Sequence, residues 1–315
     1  STAPSGRGRP LDIDALVELA DRMTRSRLEV KGQLTGGDDH RVMEDILRVG
    51  TSAGGARAKA VLAWNRESGE FRSGQLDLPD GFEHWLLKFD GVSGNADKEI
   101  ADPQGYGRLE YACYRLAVEA GVEMTECRLH EEGGRAHFMT RRFDRTPAGG
   151  KLHMQSLGAM RHFDYNQPRA YAYEQAIETL RLLGLGRAAM EQMVRRALLN
   201  IVIRNQDDHV KNIAFLMDKA GNWSLAPAFD VVYAYNPGGA WTSQHQMSLA
   251  GKTDGFTLAD LVEFGRYADF KPAQLRAMLD DILQAAARWD RHAEEAGVPR
   301  DLSRRAHNGF RLEFE

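Results

Sequence analysis

Residues 205–230 read N-Q-D-D-H-V-K-N-I-A-F-L-M-D-K-A-G-N-W-S-L-A-P-A-F-D, a stretch that begins with a cluster of acidic and amide side chains. An apolar run at 197–203 has the composition of a helix end and leads into the polar start of the stretch. Two short strand-like runs follow, at 213–217 and 223–226. The Asp, Gly and Asn between them predict a β-hairpin, and Asp230 comes after it.

The acids and the amide of this stretch are spaced as phosphoryl transfer requires. Transfer from a triphosphate needs a carboxylate that orients or deprotonates the attacking hydroxyl, and oxygen ligands that hold magnesium on the phosphates. Protein kinases take the carboxylate from a loop Asp, and the metal ligands from an Asn five residues later and an Asp after a hairpin. Asp207 and Asn212 have that spacing, and Asp230 follows the predicted hairpin.

Two other interpretations of the loop stay open. Asp and Asn commonly cap helices and form turns, so an acidic loop can serve structure alone. A transition-metal site at Asp207, Asp208 and His209 is disfavoured, because three adjacent residues rarely point at one ion. The two cysteines, Cys113 and Cys127, also lie far upstream of the loop.

The composition is that of a protein without a membrane span. Its 315 residues, 43% of them hydrophobic, are enough for one large domain or two lobes. A formal charge of -4 gives no basic surplus, so no direct nucleic-acid binding is predicted. Two cysteines are too few for a disulfide framework, and no run approaches the roughly 18 apolar residues of a membrane helix. A cytoplasmic protein is expected.

The part of the chain before residue 60 carries a Gly-rich segment. Residues 11–23 and 41–47 have the spacing of short helices after a polar lead. The segment 49–59 then reads V-G-T-S-A-G-G-A-R-A-K, whose glycines among small residues let backbone amides approach a phosphate. It matches neither a Walker A loop nor the Gly-rich loop of ordinary kinases. A plain turn between strands is the alternative.

Lys88 lies in a short apolar strand predicted over residues 84–89. A buried ammonium is costly unless it is paired, so an anion or an acidic partner is expected beside it. In kinases a strand lysine holds the phosphates and is braced by a helix glutamate. The next predicted helix, 106–120, offers Glu110 or Glu119, and Glu110 is preferred. An edge strand whose lysine reaches solvent is the alternative.

Residues 135–145 begin as a strand and end as a polar segment, at the place where a two-lobed kinase has its hinge. Phe143 is expected to flank the adenine and Asp144 to lie near the ribose. Three arginines of this segment form either an anion-binding patch or a solvated charge cluster: Arg141, Arg142 and Arg145.

The pattern becomes helical after a break at 147–150. Predicted helices cover 171–183, 187–203, 258–267, 272–296 and 302–310. Helix-rich sequence after a strand-rich half predicts an α+β fold with a small sheet lobe and a larger helical lobe. The predicted divisions are an N-terminal lead over 1–48, a sheet lobe over 49–145 and a helical lobe over 146–315. The polar stretch 236–256 is a candidate functional loop.

Taken together, these motifs resemble the HipA-like serine/threonine kinases of bacterial toxin–antitoxin modules. The matching pieces are S-A-G-G-A-R-A-K at 52–59, Lys88, R-F-D-R at 142–145, D-D-H-V-K-N at 207–212, F-D at 229–230, Q-M-S at 246–248 and G-K at 251–252. They span roughly residues 45–315. The resemblance implies a two-lobed protein-kinase-like fold that binds ATP and Mg²⁺ between its lobes.

The resemblance also implies a role for each residue of the site. Asp207 is the expected catalytic carboxylate, and Asn212 and Asp230 are the expected metal ligands. Lys88 is expected on the phosphates, with Glu110 as its partner. The other expected nucleotide-binding residues are Ser52, Ala53, Gly54, Gly55, Phe143, Asp144 and Lys211.

One serine carries a further expectation from the family. A serine at the start of the Gly-rich loop is autophosphorylated in these kinases, and the modified loop then leaves the nucleotide site. Ser52 occupies that position, and Thr51 beside it is an alternative acceptor. About two negative charges added beside the ATP phosphates repel them unless the loop moves away.

Family members phosphorylate translation proteins such as aminoacyl-tRNA synthetases, and some pair with a DNA-binding antitoxin. The expected activity is therefore that of an ATP-dependent serine/threonine protein kinase that acts as a toxin. The family archetype has a longer N-terminal subdomain than the 48 residues that precede the Gly-rich segment here, so the antitoxin contact is left open. The alternatives are a small-molecule kinase of the same fold and a catalytically silent nucleotide-binding module.

Overall fold

A computed structural model of the chain describes residues 10–26, 57–74, 80–92, 104–146 and 150–315. Two compact units are present. The first consists of the described residues up to Arg108 together with Glu126–Gly150, and the second of Leu109–Thr125 and Lys151–Glu315. Two predicted features lie outside the described residues: the helix at 41–47, and the Gly-rich loop with Thr51, Ser52, Ala53, Gly54 and Gly55.

A five-stranded antiparallel sheet forms the centre of the first unit. Its strands are β1 (Lys59–Asn65), β2 (Phe71–Ser73), β3 (Phe82–Lys88), β4 (Cys127–Glu132) and β5 (Arg135–Arg141). Their order across the sheet is β2-β1-β3-β5-β4. The strand predicted over residues 84–89 is confirmed as β3 within two residues, and the strand predicted to begin at residue 135 is confirmed as β5.

Helix α1 (Ile13–Ser26) belongs to the same apolar core as one face of this sheet. That core contains Leu16 of the helix and the cross-strand pair of Leu62 and Trp85, all of them inaccessible to solvent. Burying each large apolar side chain contributes about 2 kcal/mol. Since side chains alternate along a strand, Lys88 lies on the opposite face of the sheet from Trp85 and Leu87.

Helix α2 (Tyr106–Glu119) begins in the first unit, where a buried acid fixes its first turn. The carboxylate of Asp90 accepts hydrogen bonds from the backbone N–H groups of Gly105 at 3.0 Å and Gly107 at 3.1 Å. These N–H groups have no partner inside the helix, so the acid stabilises its start. A Cβ atom at Gly107 would lie 2.1 Å from the carbonyl oxygen of Ala136, so glycine allows the close approach to β5.

The second unit is mainly helical. Its helices after α2 are α3 (Leu157–Arg161), α4 (Tyr173–Leu182), α5 (Arg187–Val202), α6 (Leu258–Tyr267), α7 (Pro272–Ala287), α8 (Trp289–Glu295) and α9 (Arg300–Gly309). Its strands are β6 (His153–Ser156), β7 (Tyr171–Ala172), β8 (Ala214–Met217), β9 (Trp223–Leu225) and β10 (Met247–Ser248). A three-stranded sheet has the order β6-β8-β9, and β7 pairs with β10 in parallel. The predicted hairpin is therefore confirmed as β8 and β9.

Helix α5 delivers the polar loop. Its last turns are buried on every side, including Leu198, Leu199, Ile201 and Val202, which makes it a central helix rather than a surface one. Its end at Val202 therefore fixes where the loop begins. Among the described residues, no helix is both long enough and apolar enough to cross a membrane.

The sequence predicts a single helix over 272–296, and this is wrong. Helix α7 ends at Ala287 and α8 starts at Trp289, because Arg288 takes φ -95° and ψ 16°. The break lets Trp289 become fully buried while its indole N–H donates to the carbonyl oxygen of Ser303 at 3.1 Å. Helical periodicity alone does not reveal such a change of direction.

Candidate active site

The polar loop between α5 and β8 is held by its own backbone. The carbonyl oxygen of Asp207 accepts hydrogen bonds from the backbone N–H of His209 at 3.0 Å and from the side-chain amide of Asn212 at 2.9 Å. The backbone N–H of Asn212 donates to the carbonyl oxygen of His209 at 2.9 Å. Because the amide nitrogen of Asn212 is used within the loop, its side-chain oxygen is the atom that can serve a metal.

The two adjacent acids of this loop differ in their exposure to solvent. The side chain of Asp207 is 54% exposed, with one carboxylate oxygen 3.8 Å from Nε2 of His209. Asp208 is buried, with only 3% of its surface exposed. A substrate hydroxyl can therefore approach Asp207 and not Asp208.

Asp208 accepts hydrogen bonds from distant residues, which the spacing of the motif does not predict. Its carboxylate accepts hydrogen bonds from the hydroxyl of Tyr173 at 2.7 Å, the backbone N–H of Gln246 at 2.8 Å and Nδ1 of His245 at 2.8 Å. Burial, followed by the charge of Asp208, raises the pKa of Tyr173 well above its usual value, so the phenol stays a donor. No local signal in the sequence points to these partners, which lie more than thirty residues away.

Asp230 takes a left-handed backbone conformation with φ 53°. Asp is one of the few residues besides glycine that occupy this region, at some cost in strain. The carbonyl oxygen of Asp230 accepts a hydrogen bond from the side-chain amide of Asn205 at 3.1 Å. Just before it, the backbone N–H of Ala228 donates to the carbonyl oxygen of Glu123 at 2.8 Å, so the segment is fixed on both sides of Phe229.

One expected metal ligand and the chain neighbours of the other line a common cavity. Asn212 and the neighbours of Asp230, namely Phe229 and Val231, line one small cavity. In the described part of the chain, no three acidic, histidine or cysteine side chains gather into a metal cluster. Magnesium is typically held by one or two carboxylates together with substrate phosphates, so one amide oxygen and one carboxylate fit it. The all-oxygen donor set also disfavours zinc.

Two lysines of the first unit are buried on the same face of the sheet. Lys88 is 6% exposed, and its ammonium lies 5.7 Å from the ring centroid of Phe138. Lys59 on β1 stands directly opposite Lys88 in the ladder and is 4% exposed. Directly opposed like charges repel each other, so this face of the sheet carries a concentration of positive charge. The sequence motif at 52–59 contains Lys59, but it does not predict that this residue stands opposite Lys88.

The carboxylate of Asp144 is held by two arginines. Its carboxylate accepts a bidentate pair of hydrogen bonds from Arg142 at 2.8 and 2.5 Å, and a further one from Arg145 at 2.6 Å. Burial raises the pKa of Asp144, but these guanidinium groups outweigh burial and the pKa lies below its usual value. Arg141 pairs with Glu83 at 3.4 Å. The ribose contact of Asp144 and the adenine contact of Phe143 stay predictions.

The two glutamates of α2 have different settings. Glu110 is buried, with 1% of its surface exposed. Glu119 forms an ion pair with Arg288, at the junction of α7 and α8, and one of its carboxylate oxygens lies 2.8 Å from Nε2 of His292. A residue engaged in this way is structural, so Glu119 is not the expected partner of Lys88. The pairing of Glu110 with Lys88 stays a prediction.

Lys211 lies over an exposed aromatic ring. Its ammonium is 3.3 Å from the ring centroid of Tyr165, a side chain that is 43% exposed. The contact is a cation–π interaction, which holds the side chain of this loop residue against the ring. Its contact with a nucleotide stays a prediction.

A solved structure shares this fold. HipA of Shewanella oneidensis MR-1, solved in complex with HipB and operator DNA, aligns with a TM-score of 0.65 and 17% identity over 98% of this chain and 71% of that chain. The likeness establishes the fold and confirms the predicted α+β, protein-kinase-like architecture. The Helicobacter pylori proinflammatory kinase CtkA aligns with a TM-score of 0.42 and 11% identity over 72% of this chain and 91% of that chain.

A curated relative and a family model match the sequence itself. The relative is named "Putative kinase Y4mE", from Sinorhizobium fredii, and is 25% identical over 243 residues, which are 73% of this chain and 50% of that protein. The chain thus spans about half the length of this relative. The family model of the HipA-like C-terminal domain matches residues 51–289, most of the chain. The chain therefore belongs to the HipA-like C-terminal domain family.

Proposed function

We propose that this chain is an ATP-dependent serine/threonine protein kinase of the HipA type. The observation that carries the proposal is the accessible carboxylate of Asp207 on a loop whose neighbouring acid, Asp208, is buried. The side-chain amide of Asn212 is bonded to the same loop residue, and it lines one cavity with the neighbours of Asp230. These are the parts that phosphoryl transfer needs.

Asp207 orients the acceptor hydroxyl and takes its proton. The acceptor oxygen forms a bond to the γ-phosphorus as the bond from that phosphorus to the bridging oxygen of ADP breaks. Asn212 and Asp230 would hold Mg²⁺, which when bound neutralises charge on the phosphates. In the first unit, Lys88 is the residue that we propose to contact the phosphates. The protein contributes mainly positioning and electrostatic stabilisation.

Removing the Asp207 carboxylate tests the assignment. Asp207→Ala should lower the magnesium-dependent transfer of labelled γ-phosphate by roughly 10²- to 10⁴-fold, because the hydroxyl loses its orienting base. The measurement is label transfer to the chain itself and to proteins of a cell lysate. The matched control is Asp280→Ala, which removes an exposed acid of α7.

Each outcome of this assay has a definite meaning. Equal transfer by the Asp207→Ala variant and the wild-type chain contradicts the catalytic assignment. ATP binding without any transfer by the wild-type chain replaces the kinase with a nucleotide-binding module. Transfer to a small molecule and to no protein indicates a small-molecule kinase of the same fold.

We also propose that the kinase modifies itself on Ser52 and is switched off by that modification. The family resemblance supports this, together with the repulsion that a phosphate at Ser52 would exert on bound ATP. Ser52→Ala should abolish self-labelling at this site and prolong activity on other acceptors. Mass spectrometry of the labelled chain locates the phosphate, and Thr51→Ala is the control. Label on Thr51 with Ser52 unmodified would assign the switch to Thr51.

The proposed biological role is that of a toxin that phosphorylates a translation protein, such as an aminoacyl-tRNA synthetase, in the cytoplasm. The solved HipA of Shewanella oneidensis is in complex with HipB and operator DNA. By analogy, we propose a DNA-binding antitoxin as the partner of this chain. Growth arrest on expression of the chain that disappears with Asp207→Ala would support the toxin role, and unchanged growth would contradict it.

A further inference from the structure

Asp208 lies at the meeting point of three separate segments of the second unit. Tyr173 at the start of α4 and His245 both donate to one carboxylate oxygen, while the backbone N–H of Gln246 donates to the other. Asp208 and His245 are both buried, with 3% and 0% of their surfaces exposed. A buried carboxylate is tolerated only when such donors replace water, so these three bonds determine where the loop sits.

On one side, the bonds continue from Asp208 toward the expected metal ligand. The hydroxyl of Tyr173 accepts from the side-chain amide of Asn200 at 2.9 Å. The side-chain amide of Asn205 donates both to Asn200, at 3.0 Å, and to the carbonyl oxygen of Asp230, at 3.1 Å. One continuous chain of hydrogen bonds therefore joins the neighbour of Asp207 to the backbone of Asp230.

On the other side, an arginine fixes the tautomer of His245. Nη1 of Arg311 lies 3.0 Å from Nε2 of His245. Because a guanidinium group can only donate, Nε2 must accept, and the ring proton resides on Nδ1, where it points to Asp208. Arg311 is itself held by the carbonyl oxygen of Ile201 at 3.0 Å and by an ion pair with Asp254.

We propose that Asp208 is a positioning residue, which orients the Asp207 carboxylate for phosphoryl transfer by locking the loop backbone to His245, Gln246 and Tyr173. The proposal rests on the kinase function proposed above. Asp208 touches no substrate in this role. The segments around Tyr173, His245 and Arg311 all belong to this network, so three distant pieces of the chain set the position of one catalytic group.

The variant Asp208→Asn tests the lock with little change in shape. Whichever way the introduced amide is turned, its NH2 group faces a donor, either the Nδ1–H of His245 or the backbone N–H of Gln246, and Arg311 prevents the ring from moving its proton to Nε2. Two donors then oppose each other and the loop shifts. We expect kcat to fall roughly 10- to 100-fold, with KM for ATP changed by about twofold or less, because positioning is lost and nucleotide binding is not.

A second change should relieve the conflict. Arg311→Met removes the donor at Nε2, so that His245 can carry its proton there and accept from the introduced amide. The double variant should recover roughly tenfold in kcat over Asp208→Asn, and Arg311→Met alone measures the cost of losing the arginine. The proposal is overturned if the kcat of the double variant is no higher than that of Asp208→Asn. It is also overturned if Asp208→Asn has the kcat of the wild-type chain.

The ring of His245 supplies a readout that does not depend on activity. In the intact chain labelled with ¹⁵N at histidine, and with His245→Gln used to assign the signal, Nδ1 should be protonated and Nε2 unprotonated. The opposite tautomer in the wild-type chain overturns the lock. If the wild-type chain transfers no phosphate, the proposed kinase function is wrong. The ¹⁵N chemical shifts of the His245 ring still show whether the hydrogen-bond network around Asp208 exists.

Discussion

His137 lies on β5 in the interior of the first unit, with none of its surface exposed. Its Nδ1 accepts a hydrogen bond from the backbone N–H of Asp90 at 3.0 Å, so the ring proton resides on Nε2. Burial lowers the pKa of His137 to about 4, and the neighbouring His130 adds to this effect. The native state therefore holds this ring neutral, which ties it to the acid that caps α2.

This setting predicts a pH dependence of stability. Between the unfolded pKa near 6.5 and the folded pKa of about 4, the unfolded chain binds more protons, so the free energy of unfolding falls as pH falls. The free energy of unfolding falls by roughly 3 kcal/mol in total, and the decrease levels off below the folded pKa. Urea unfolding measured from pH 7 to pH 4 checks it.

The control for this experiment is His137→Asn, whose side-chain oxygen can accept from the same N–H group but does not titrate. Its unfolding free energy should depend less steeply on pH over this window. Identical slopes for the variant and the wild-type chain would show that His137 is not the group responsible.

At the scale of the element, α2 depends on the absence of a side chain at Gly107. A Cβ atom there would lie 2.1 Å from the carbonyl oxygen of Ala136, which belongs to the β5 ladder and cannot yield easily. The same turn is bonded to the carboxylate of Asp90 through the N–H of Gly107. The helix that carries Glu110 therefore begins at a position set by one glycine and one acid.

Gly107→Ala should destabilise the chain by about 3 kcal/mol, because the added methyl group pushes the helix away from the strand. The midpoint and slope of urea unfolding measure the change. Gly186→Ala is the matched control, since a Cβ atom there meets nothing within 4 Å. The control should cost less than about 1 kcal/mol. Equal midpoints for the two variants would contradict the proposed steric conflict.

At the scale of the whole molecule, the residues that follow α9 pack against and hydrogen-bond to earlier helices of the second unit. Phe310 is buried and packs edge-on against Trp289, with ring centroids 5.2 Å apart. The backbone N–H of Arg311 donates to the carbonyl oxygen of Val202 at the end of α5, at 2.8 Å. The backbone N–H of Leu258 donates to the carbonyl oxygen of Glu315 at 3.1 Å. Distant parts of the chain thus support the helix that delivers the candidate catalytic loop.

The sequence determined by itself what depends on neighbours along the chain. The separation of Asp207 and Asn212 is set by the covalent chain, so the candidate catalytic loop is recognisable from the order of its residues. The turn formers between β8 and β9 predicted the hairpin, and helical spacing predicted α5. The family resemblance that these motifs supported is confirmed by the match over residues 51–289.

Only the tertiary structure decided what depends on residues distant in sequence. Asp207 and Asp208 are chemically identical neighbours, and the partners that bury one of them lie 35 to 38 residues away. Lys59 stands beside Lys88 because of the register of β1 on β3, which spacing does not encode. The break at Arg288 likewise follows from burying Trp289 against a later helix. Local propensity depends on each residue and its neighbours along the chain, whereas burial and strand pairing depend on how separate segments pack together.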